Sequence, residues 1–239
     1  MNKMASKCKR PIAVLLAALM ALGLWPAADS GRAYAAPGPT IRTVAGGIAK
    51  QGPALSIGQT PNQIVAANGY LYVADGYNNV VWRIDQATGE EILFAGIGYR
   101  GFSGDGGKAT KAKLAYPNSV ALDAAGNLYI GDSMNRRVRK VDTTGNISTV
   151  AGTGTYGYTG DGGPATAANI GVGGIAVDGS GNLYIADGNS AVRKVNAAGI
   201  ISTVAGKATA GLSGDGGNAT AAELKNPNAL AFDRNGNLY

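Results

Sequence analysis

Histidine is absent from the 239 residues of this chain, and cysteine occurs once. The lack of histidine excludes Ser-His-Asp triads, Cys-His nucleophiles, histidine general bases and histidine-ligated zinc from this sequence. The single cysteine, Cys8, precedes the first apolar run, so a chain cleaved after that run holds no thiol and no disulfide. Bond chemistry in these residues would have to use carboxylates, tyrosine, lysine or a metal ion held by oxygen.

Long apolar runs are also scarce. The longest, residues 12–25, is shorter than the roughly 20 residues that a membrane-spanning helix needs. It follows a basic segment and precedes the small-x-small pattern of residues 33–35. This order predicts a secretory signal peptide over residues 1–35 that is cleaved near Ala35. We therefore expect residues 36–239 to be secreted or at the cell surface, without a membrane span.

The predicted mature chain lacks a strong net charge of either sign. The formal charge of the whole sequence is +6, but residues 1–35 contain five basic residues and one acidic residue. Residues 36–239 therefore have a charge of +2. Nucleic-acid binding surfaces are strongly basic, so no nucleic-acid partner is predicted.

Glycine is abundant, with 38 residues, and much of it belongs to a repeat. Val-Ala-Gly or Phe-Ala-Gly ends at Gly46, Gly96, Gly152 and Gly206. A Leu-Tyr segment that ends in aspartate recurs with a similar period. The repeat units cover about residues 41–95, 96–151, 152–205 and 206–239. Repeats of this length are typical of solenoids and propellers.

Four short apolar segments occur in each full unit. In the second unit they comprise residues 119–123, 128–132, 138–142 and 147–151. Their alternation predicts β-strands, and the glycine and asparagine residues between them suit tight hairpins. Helix-length periodic runs are absent. The sequence therefore predicts an all-β fold, a β-propeller of four-stranded blades that stack on one another.

The repeat resembles a known family. Residues 117–123, 126–130 and 135–141 read PNSVALD, GNLYI and NRRVRKV, and these segments resemble NHL repeats. The long units with GDGG are similar to the NHL propellers of bacterial secreted proteins and teneurins. The resemblance covers residues 41–239 and implies a six-bladed ring. On this basis we expect an incomplete fragment of about three and a half blades, truncated at its carboxyl terminus.

Two further expectations concern the first unit. Residues 41–46 match the fourth strand of the later blades, which predicts a strand that completes the last blade and closes the ring. Residues 51–60 replace the loop that contains GDGG elsewhere, and Trp82 stands where the later units have Arg139 and Arg193. The first unit thus departs from the pattern in its loop and in its third strand.

The recurrent polar and aromatic residues of the strands have structural interpretations. The aspartates that end the second strands are expected to cap turns: Asp75, Asp132 and Asp187. The third-strand arginines are expected on a solvated face or in salt bridges between blades: Arg83, Arg139 and Arg193. The tyrosines of the second strands are expected to pack between blades: Tyr72, Tyr129 and Tyr184.

The GDGG loops allow two interpretations. Each contributes one carboxylate, Asp105, Asp161 or Asp215, and carboxylates from three blades could converge on a calcium ion or another ligand. Alternatively, the aspartate closes a turn and the next segment forms a helical turn that buries Leu114. Dinucleotide binding is excluded because no long helix follows the glycines. We expect these loops to gather on one face of the ring near its mouth.

The functional expectation is a secreted or cell-surface, non-catalytic binding scaffold. Loops on the rim of the propeller would bind a protein or glycan partner, with no cofactor other than a possible calcium ion. The alternative is an enzyme, because the resemblance also extends to propeller-fold hydrolases, lyases and quinone-dependent dehydrogenases. Its active-site residues would then lie in blades outside this sequence. A third interpretation is a propeller module of a longer surface protein.

Overall fold

The computed structural model describes residues 52–53 and 61–239. The signal peptide, its cleavage site and the ring-closing strand of residues 41–46 lie outside the described residues, so these three expectations stay predictions. Within the described part, no helix is long and apolar enough to cross a membrane.

The described residues form three antiparallel sheets, one for each of the first three repeat units. The first sheet has the order β1-β5-β4-β3-β2, with β1 (Gly52–Pro53), β2 (Pro61–Ala67), β3 (Tyr70–Asp75), β4 (Val80–Asp85) and β5 (Glu90–Ala95). The second contains, in order, β6 (Pro117–Leu122), β7 (Leu128–Asp132), β8 (Arg137–Val141) and β9 (Ile147–Ala151). The third contains β10 (Val172–Val177), β11 (Leu183–Asp187), β12 (Ala191–Val195) and β13 (Ile201–Gly206). The predicted strands of the second unit are confirmed to within two residues.

Short 3-10 turns are the helical elements of the described part. They comprise Ala109–Lys111, Ser133–Asn135, Ala165–Ala167 and Ala219–Ala221. Three of them follow the GDGG loops, as the sequence predicts, and Leu114 beyond the first is fully buried. The all-β prediction is confirmed.

An aspartate and an asparagine fix the hairpin that follows the first strand in the second, third and fourth units. Asp123 accepts hydrogen bonds from the backbone N–H of Asn127 at 2.8 Å and from its side-chain amide at 2.7 Å. Gly126 between them has φ +87°, which glycine adopts without strain. The same arrangement recurs in the third unit, and in the fourth unit Asn237 and Asp233 form the same hydrogen bonds. The local sequence therefore determines the strand register.

The first strands of successive blades lie beside one another. The Gln63 side chain accepts a hydrogen bond from the Val120 N–H at 2.9 Å, and the Gly174 N–H donates to the Asn228 carbonyl at 2.8 Å. The fourth strands, β5, β9 and β13, lie on the far side of their sheets from these first strands. The blades thus have inner first strands and outer fourth strands, as in a propeller.

The core consists of apolar layers between neighbouring sheets. One layer joins Ala74 of the first sheet to Val120 and Ile130 of the second, and the next joins the second sheet to the third. Tyr72 and Tyr129 are each 8% exposed within these layers. The Tyr184 ring packs edge-on against Phe232 of the fourth unit at 5.0 Å between ring centroids. The prediction that the tyrosines pack between blades is confirmed.

The glycine that ends each Ala-Gly motif is required by close backbone packing. Gly152 has φ +92°, and a β-carbon there would collide with the Arg136 carbonyl oxygen. Gly96 and Gly206 approach the corresponding carbonyls of Asn79 and Ser190 in the same way. The repeated tripeptide therefore marks the point where the fourth strand meets the turn between the second and third strands.

We expect Gly152→Ala to destabilise the fold much more than Gly145→Ala. Both glycines have positive φ, but a β-carbon at Gly145 has nothing within 4 Å. The control should therefore cost about 1 kcal/mol of unfolding free energy for the backbone strain alone. The collision should add about 1–3 kcal/mol at Gly152. Equal losses in urea-induced unfolding of the two variants would contradict this explanation.

Candidate functional site

The GDGG loops pair with the outer strands. The Gly106 N–H donates to the Ile147 carbonyl at 2.8 Å, and the Ile147 N–H donates to the Gly107 carbonyl at 2.9 Å. The next loop forms the same pair of bonds with Ile201. These two loops therefore lie at the outer edges of the second and third blades, and the expectation that they gather near the mouth of the ring is wrong. The chain must pass along the outer edge before it turns back toward the first strand.

The first blade has a substitute for this loop. Strand β1 pairs with β5, with Gly52 opposite Glu91, and Glu91 occupies the position of Ile147 and Ile201. Residues 52–53 thus cover the outer strand where the GDGG backbone covers it in later blades. These two residues belong to the segment 51–60 that was expected to replace the loop.

A fully buried arginine connects the GDGG loop to the blade. Asp105 Oδ1 lies 2.6 Å from Arg139 Nη2 and accepts a second hydrogen bond from Nε at 3.2 Å. Its other oxygen accepts a hydrogen bond from the Thr149 hydroxyl at 2.7 Å. On the other side, Arg139 Nη1 lies 3.4 Å from Asp132 Oδ2. Asp105, Asp132, Arg139 and Thr149 together are called the Arg139 cluster.

Asp132 is the buried anchor of this cluster. It accepts hydrogen bonds from the Ala115 N–H at 2.7 Å and from the Asn135 side chain at 2.8 Å. Burial raises the pKa of Asp132 above its ordinary value, while these hydrogen bonds and the charge of Arg139 act in the opposite direction. Asp132 therefore contacts its turn through the Asn135 side chain and does not cap the turn backbone, contrary to the prediction, and it also binds the segment that enters the blade.

The third blade repeats the arrangement. Arg193 is fully buried, and its Nη2 lies 2.7 Å from Asp161 Oδ1. Asp161 also accepts a hydrogen bond from the Thr203 hydroxyl at 2.7 Å, and Arg193 Nη1 lies 3.5 Å from Asp187 Oδ2. Asp161, Asp187, Arg193 and Thr203 are called the Arg193 cluster. Arg139 and Arg193 are therefore buried in salt bridges, so the solvated face is wrong for these two arginines, but the bridges join residues of one repeat unit and not of neighbouring blades as expected.

An aromatic ring covers each buried guanidinium. Phe102 lies 4.8 Å from Arg139 and Tyr158 lies 4.7 Å from Arg193, measured from guanidinium carbon to ring centroid. Cation–π contacts of this length are favourable, more so when water is excluded. The sequence analysis missed these aromatic rings and the two threonines. The aromatic residue and the threonine each recur at a fixed position in the second and third units.

Trp82 fills the corresponding position in the first blade. Its indole N–H donates to Asp75 Oδ2 at 3.2 Å, and Leu93 stands opposite it where the later blades have threonine. An indole has one donor, whereas a guanidinium has five. The first blade has no GDGG aspartate, so a side chain that satisfies one carboxylate is sufficient there. Arg83, the neighbouring arginine, instead lies 4.5 Å over the Tyr70 ring.

The three candidate calcium ligands have different surroundings. Asp105 and Asp161 bind arginine and threonine, whereas Asp215 is exposed and has no side-chain hydrogen bond to the described residues. Those residues also contain no group of three or more Asp, Glu, Cys or His side chains placed to hold a metal ion. Calcium binding by Asp105, Asp161 and Asp215 stays a prediction. A chelator that lowers the melting temperature would support it, and an unchanged melting temperature would remove it.

We expect Asp105→Ala to lower the unfolding free energy by about 1–3 kcal/mol, because it leaves the buried Arg139 with one carboxylate. Asp215→Ala is the control, because it removes the equivalent aspartate of another GDGG loop without breaking a described side-chain hydrogen bond. Denaturant unfolding of both variants provides the comparison. Equal losses, or no loss in Asp105→Ala, would contradict a structural role for the Arg139 cluster.

Glu91 is a buried carboxyl group in the first blade. It is 1% exposed, and within the described residues neither of its oxygens has a hydrogen-bond partner. Burial, with the charge of Asp75 as a second cause, raises the pKa of Glu91 from 4.5 to about 7. The folded chain therefore retains this proton at pH values where the unfolded chain has lost it.

Such a raised pKa makes stability fall as the pH rises. The contribution of Glu91 is complete below pH 4.5 and is lost as the pH increases through about 7. We expect Glu91→Gln to be more stable than the natural chain at pH 8, by about 1–3 kcal/mol, and nearly equal to it at pH 4.5. Melting curves of both proteins at the two pH values measure the difference. A stability difference that does not change with pH would rule out this role of Glu91.

The blades expose aromatic and basic side chains at one end. This turn end is the end where the second strand of each blade meets the third. Its exposed large side chains are Tyr77 (72% exposed), Tyr99 (73%), Met134 (47%) and Tyr156 (53%). Arg100 and Arg136 belong to the same loops. Such side chains are enriched in binding interfaces.

A cleft of about 340 Å³ opens within the turn end. It lies at the starts of the first strands of the second, third and fourth units, where Asn118, Gly173 and Asn228 line it. Arg136 and Tyr156 form another part of its wall. The Arg136 guanidinium lies 5.1 Å over the Tyr156 ring.

The blades are four-stranded antiparallel sheets whose first strands adjoin. Loops join the outer strand of one blade to the next blade, and this arrangement defines a β-propeller. A family model, the teneurin NHL domain, matches residues 87–159 and 153–213, more than half of the chain. The chain belongs to this NHL-repeat family. The number of blades in its ring stays a prediction.

Individual relatives agree with this assignment. Teneurin-3 of Danio rerio is 43% identical over 96 residues, which are 35% of this chain and 4% of the relative. The chloroplastic protein SUPPRESSOR OF QUENCHING 1 of Arabidopsis thaliana is 33% identical over 85 residues, 35% of this chain and 8% of the relative. The chain therefore spans less than a tenth of either relative.

A solved structure also has the same fold. An auxiliary nutrient binding protein from Bacteroides thetaiotaomicron superposes with a TM-score of 0.52 at 17% identity. The superposition covers 76% of this chain and 45% of the other chain. At this identity the likeness shows the fold alone.

Proposed function

We propose that the chain is a secreted or cell-surface NHL-repeat propeller that acts as a non-catalytic binding scaffold for a protein or glycan partner. Residues 1–35 are the export signal in this proposal, and residues 36–239 are the propeller part. The observation that supports binding most directly is the turn end, where exposed tyrosine, methionine and arginine side chains come together. The Arg139 and Arg193 clusters hold the loops that follow Tyr99 and Tyr156.

Rigid support is important for a binding surface. Ordering side chains and loops on binding costs free energy, so loops that are already fixed bind more tightly for the same contacts. Asn135 donates a hydrogen bond to the Gly101 carbonyl at 2.7 Å, and Asn189 donates one to the Gly157 carbonyl at 2.7 Å. These bonds connect the loops of the turn end to the blades that follow them.

The export part of the proposal is tested by expressing the chain in a secreting bacterial host. We expect soluble protein in the exported fraction whose amino-terminal sequence begins near residue 36. Protein that stays in the cytoplasm with an intact amino terminus would contradict the proposed signal peptide.

The binding part is tested on panels of extracellular glycans and proteins. We expect Tyr77→Ser and Tyr99→Ser to weaken binding of the partner about tenfold or more, because truncating a central aromatic side chain commonly costs over 1 kcal/mol. Thr143→Ala, in an exposed hairpin at the opposite end of a blade, is the control. Equal binding by all three variants would place the partner elsewhere, and turnover of the bound partner would contradict a non-catalytic role.

A further inference from the structure

The cleft of the turn end exists because the third repeat unit lacks side chains that the other units have. In the first unit, Asn62 binds the Gly76 N–H at 3.1 Å and the Tyr116 hydroxyl at 3.2 Å, which fills the corresponding space. In the third unit, Gly171 stands at the position of Tyr116 and Gly173 at that of Asn62. The cleft is therefore a local departure from the repeat.

Arg136 occupies a backbone position that does not suit an arginine. It has φ +52° and lies just before the third strand. The equivalent residues of the first and third units are Asn79 and Ser190, with φ +55° and +65°. Asparagine tolerates this left-handed region much better than long side chains do. A non-glycine outlier of this kind is a reason to look for a function.

The Arg136 side chain is available to a ligand. Within the described residues its guanidinium has no hydrogen bond and no ion pair, and its contact is with the Tyr156 ring. Tyr156 is itself held by a hydrogen bond from its hydroxyl to the Gly188 carbonyl at 3.1 Å. An oriented guanidinium without a carboxylate partner matches a carboxylate ligand, which it can bind through two parallel hydrogen bonds.

The rest of the cleft wall is polar and apolar in about equal parts. Asn118, Asn226 and Asn228 line it together with three glycines, and Val172 and Pro227 are its apolar members. Amide groups both donate and accept hydrogen bonds, as the hydroxyl groups of a sugar do. A volume of about 340 Å³ falls at the small end of ligand pockets.

We propose that the cleft between Arg136, Tyr156 and Asn228 binds a carboxylate-bearing sugar unit, with the carboxylate on the Arg136 guanidinium. This inference rests on the proposed binding function and names the ligand class for one site of it. Arg136 is retained in its strained position because it supplies the charge.

The test measures binding of trigalacturonate and of its neutral methyl ester to the exported chain by calorimetry. We expect trigalacturonate to bind at least ten times more tightly than the ester. Arg136→Asn introduces the amino acid that the first unit has at the equivalent position, Asn79. This variant should weaken trigalacturonate binding at least tenfold and raise the melting temperature. Arg100→Asn removes an exposed cation of the turn end outside the cleft, and should leave binding unchanged.

A second variant tests the cleft without altering the charge. A β-carbon at Gly188 would meet only Tyr156, at 3.7 Å, and Ser133 occupies the equivalent position of the second unit. Gly188→Leu should therefore fold and obstruct the cleft, with a tenfold or greater loss of trigalacturonate binding.

Several results would overturn the site. They are equal binding of acid and ester, no binding of either, unchanged binding by Arg136→Asn, or equally tight binding of a triglutamate peptide. If the chain binds another partner through Tyr77 and Tyr99 but not trigalacturonate, the scaffold function stands and the sugar site fails.

Discussion

A buried arginine held between two carboxylates is the interaction on which the later blades depend. Removing a guanidinium from water costs several kcal/mol unless charges and hydrogen bonds replace the lost hydration. In the second blade Asp132 belongs to the sheet, whereas Asp105 arrives on the loop from the blade before. The third strand is therefore fully satisfied only when that loop has docked on the outer strand. This coupling joins each blade to the segment that leads into it, beyond the apolar contacts between sheets.

In the first blade the buried position of the third strand holds an uncharged side chain. This blade has no GDGG aspartate, and Trp82 and Leu93 replace the arginine and the threonine that the aspartate would bind. The three changes belong together, because an arginine at position 82 would lack its second carboxylate. Within this unit the loop, the third-strand residue and its cross-strand partner are therefore mutually compatible. Such compatibility is expected of a sequence that specifies a single structure. The GDGG motif is thus explained as part of the blade's own packing.

Much of the fold follows from short-range sequence features. Alternation over five or six residues predicts the strands, and pairs of residues four positions apart, such as Asp123 and Asn127, determine the hairpins. The burial of Leu114 behind a helical turn is also predictable from its local pattern. Arg139 and Asp105, in contrast, are 34 residues apart. In a strand that is buried on both faces, the sequence pattern does not show which polar side chain forms a buried ion pair. The outer course of the GDGG loop was missed for the same reason, since the bonds of Ile147 are backbone bonds to a distant segment.

The candidate site was the least predictable part. Sequence comparison of the units shows where Gly173 replaces asparagine, but the cleft appears only when three first strands are placed side by side. The strain at Arg136 likewise depends on a backbone angle. Of the aspartates singled out from sequence, Asp105 and Asp161 support their loops, while the exposed turn end carries the side chains that could bind a partner.

The most direct test of the central claim is amide hydrogen exchange in the Arg139→Met variant. If the buried arginine fastens the loop to the blade, exchange should accelerate across residues 101–116 and at Ile147, while the hairpin of β6 and β7 keeps its protection. Unchanged protection of the loop would show that the apolar contacts alone hold it, and would contradict the account.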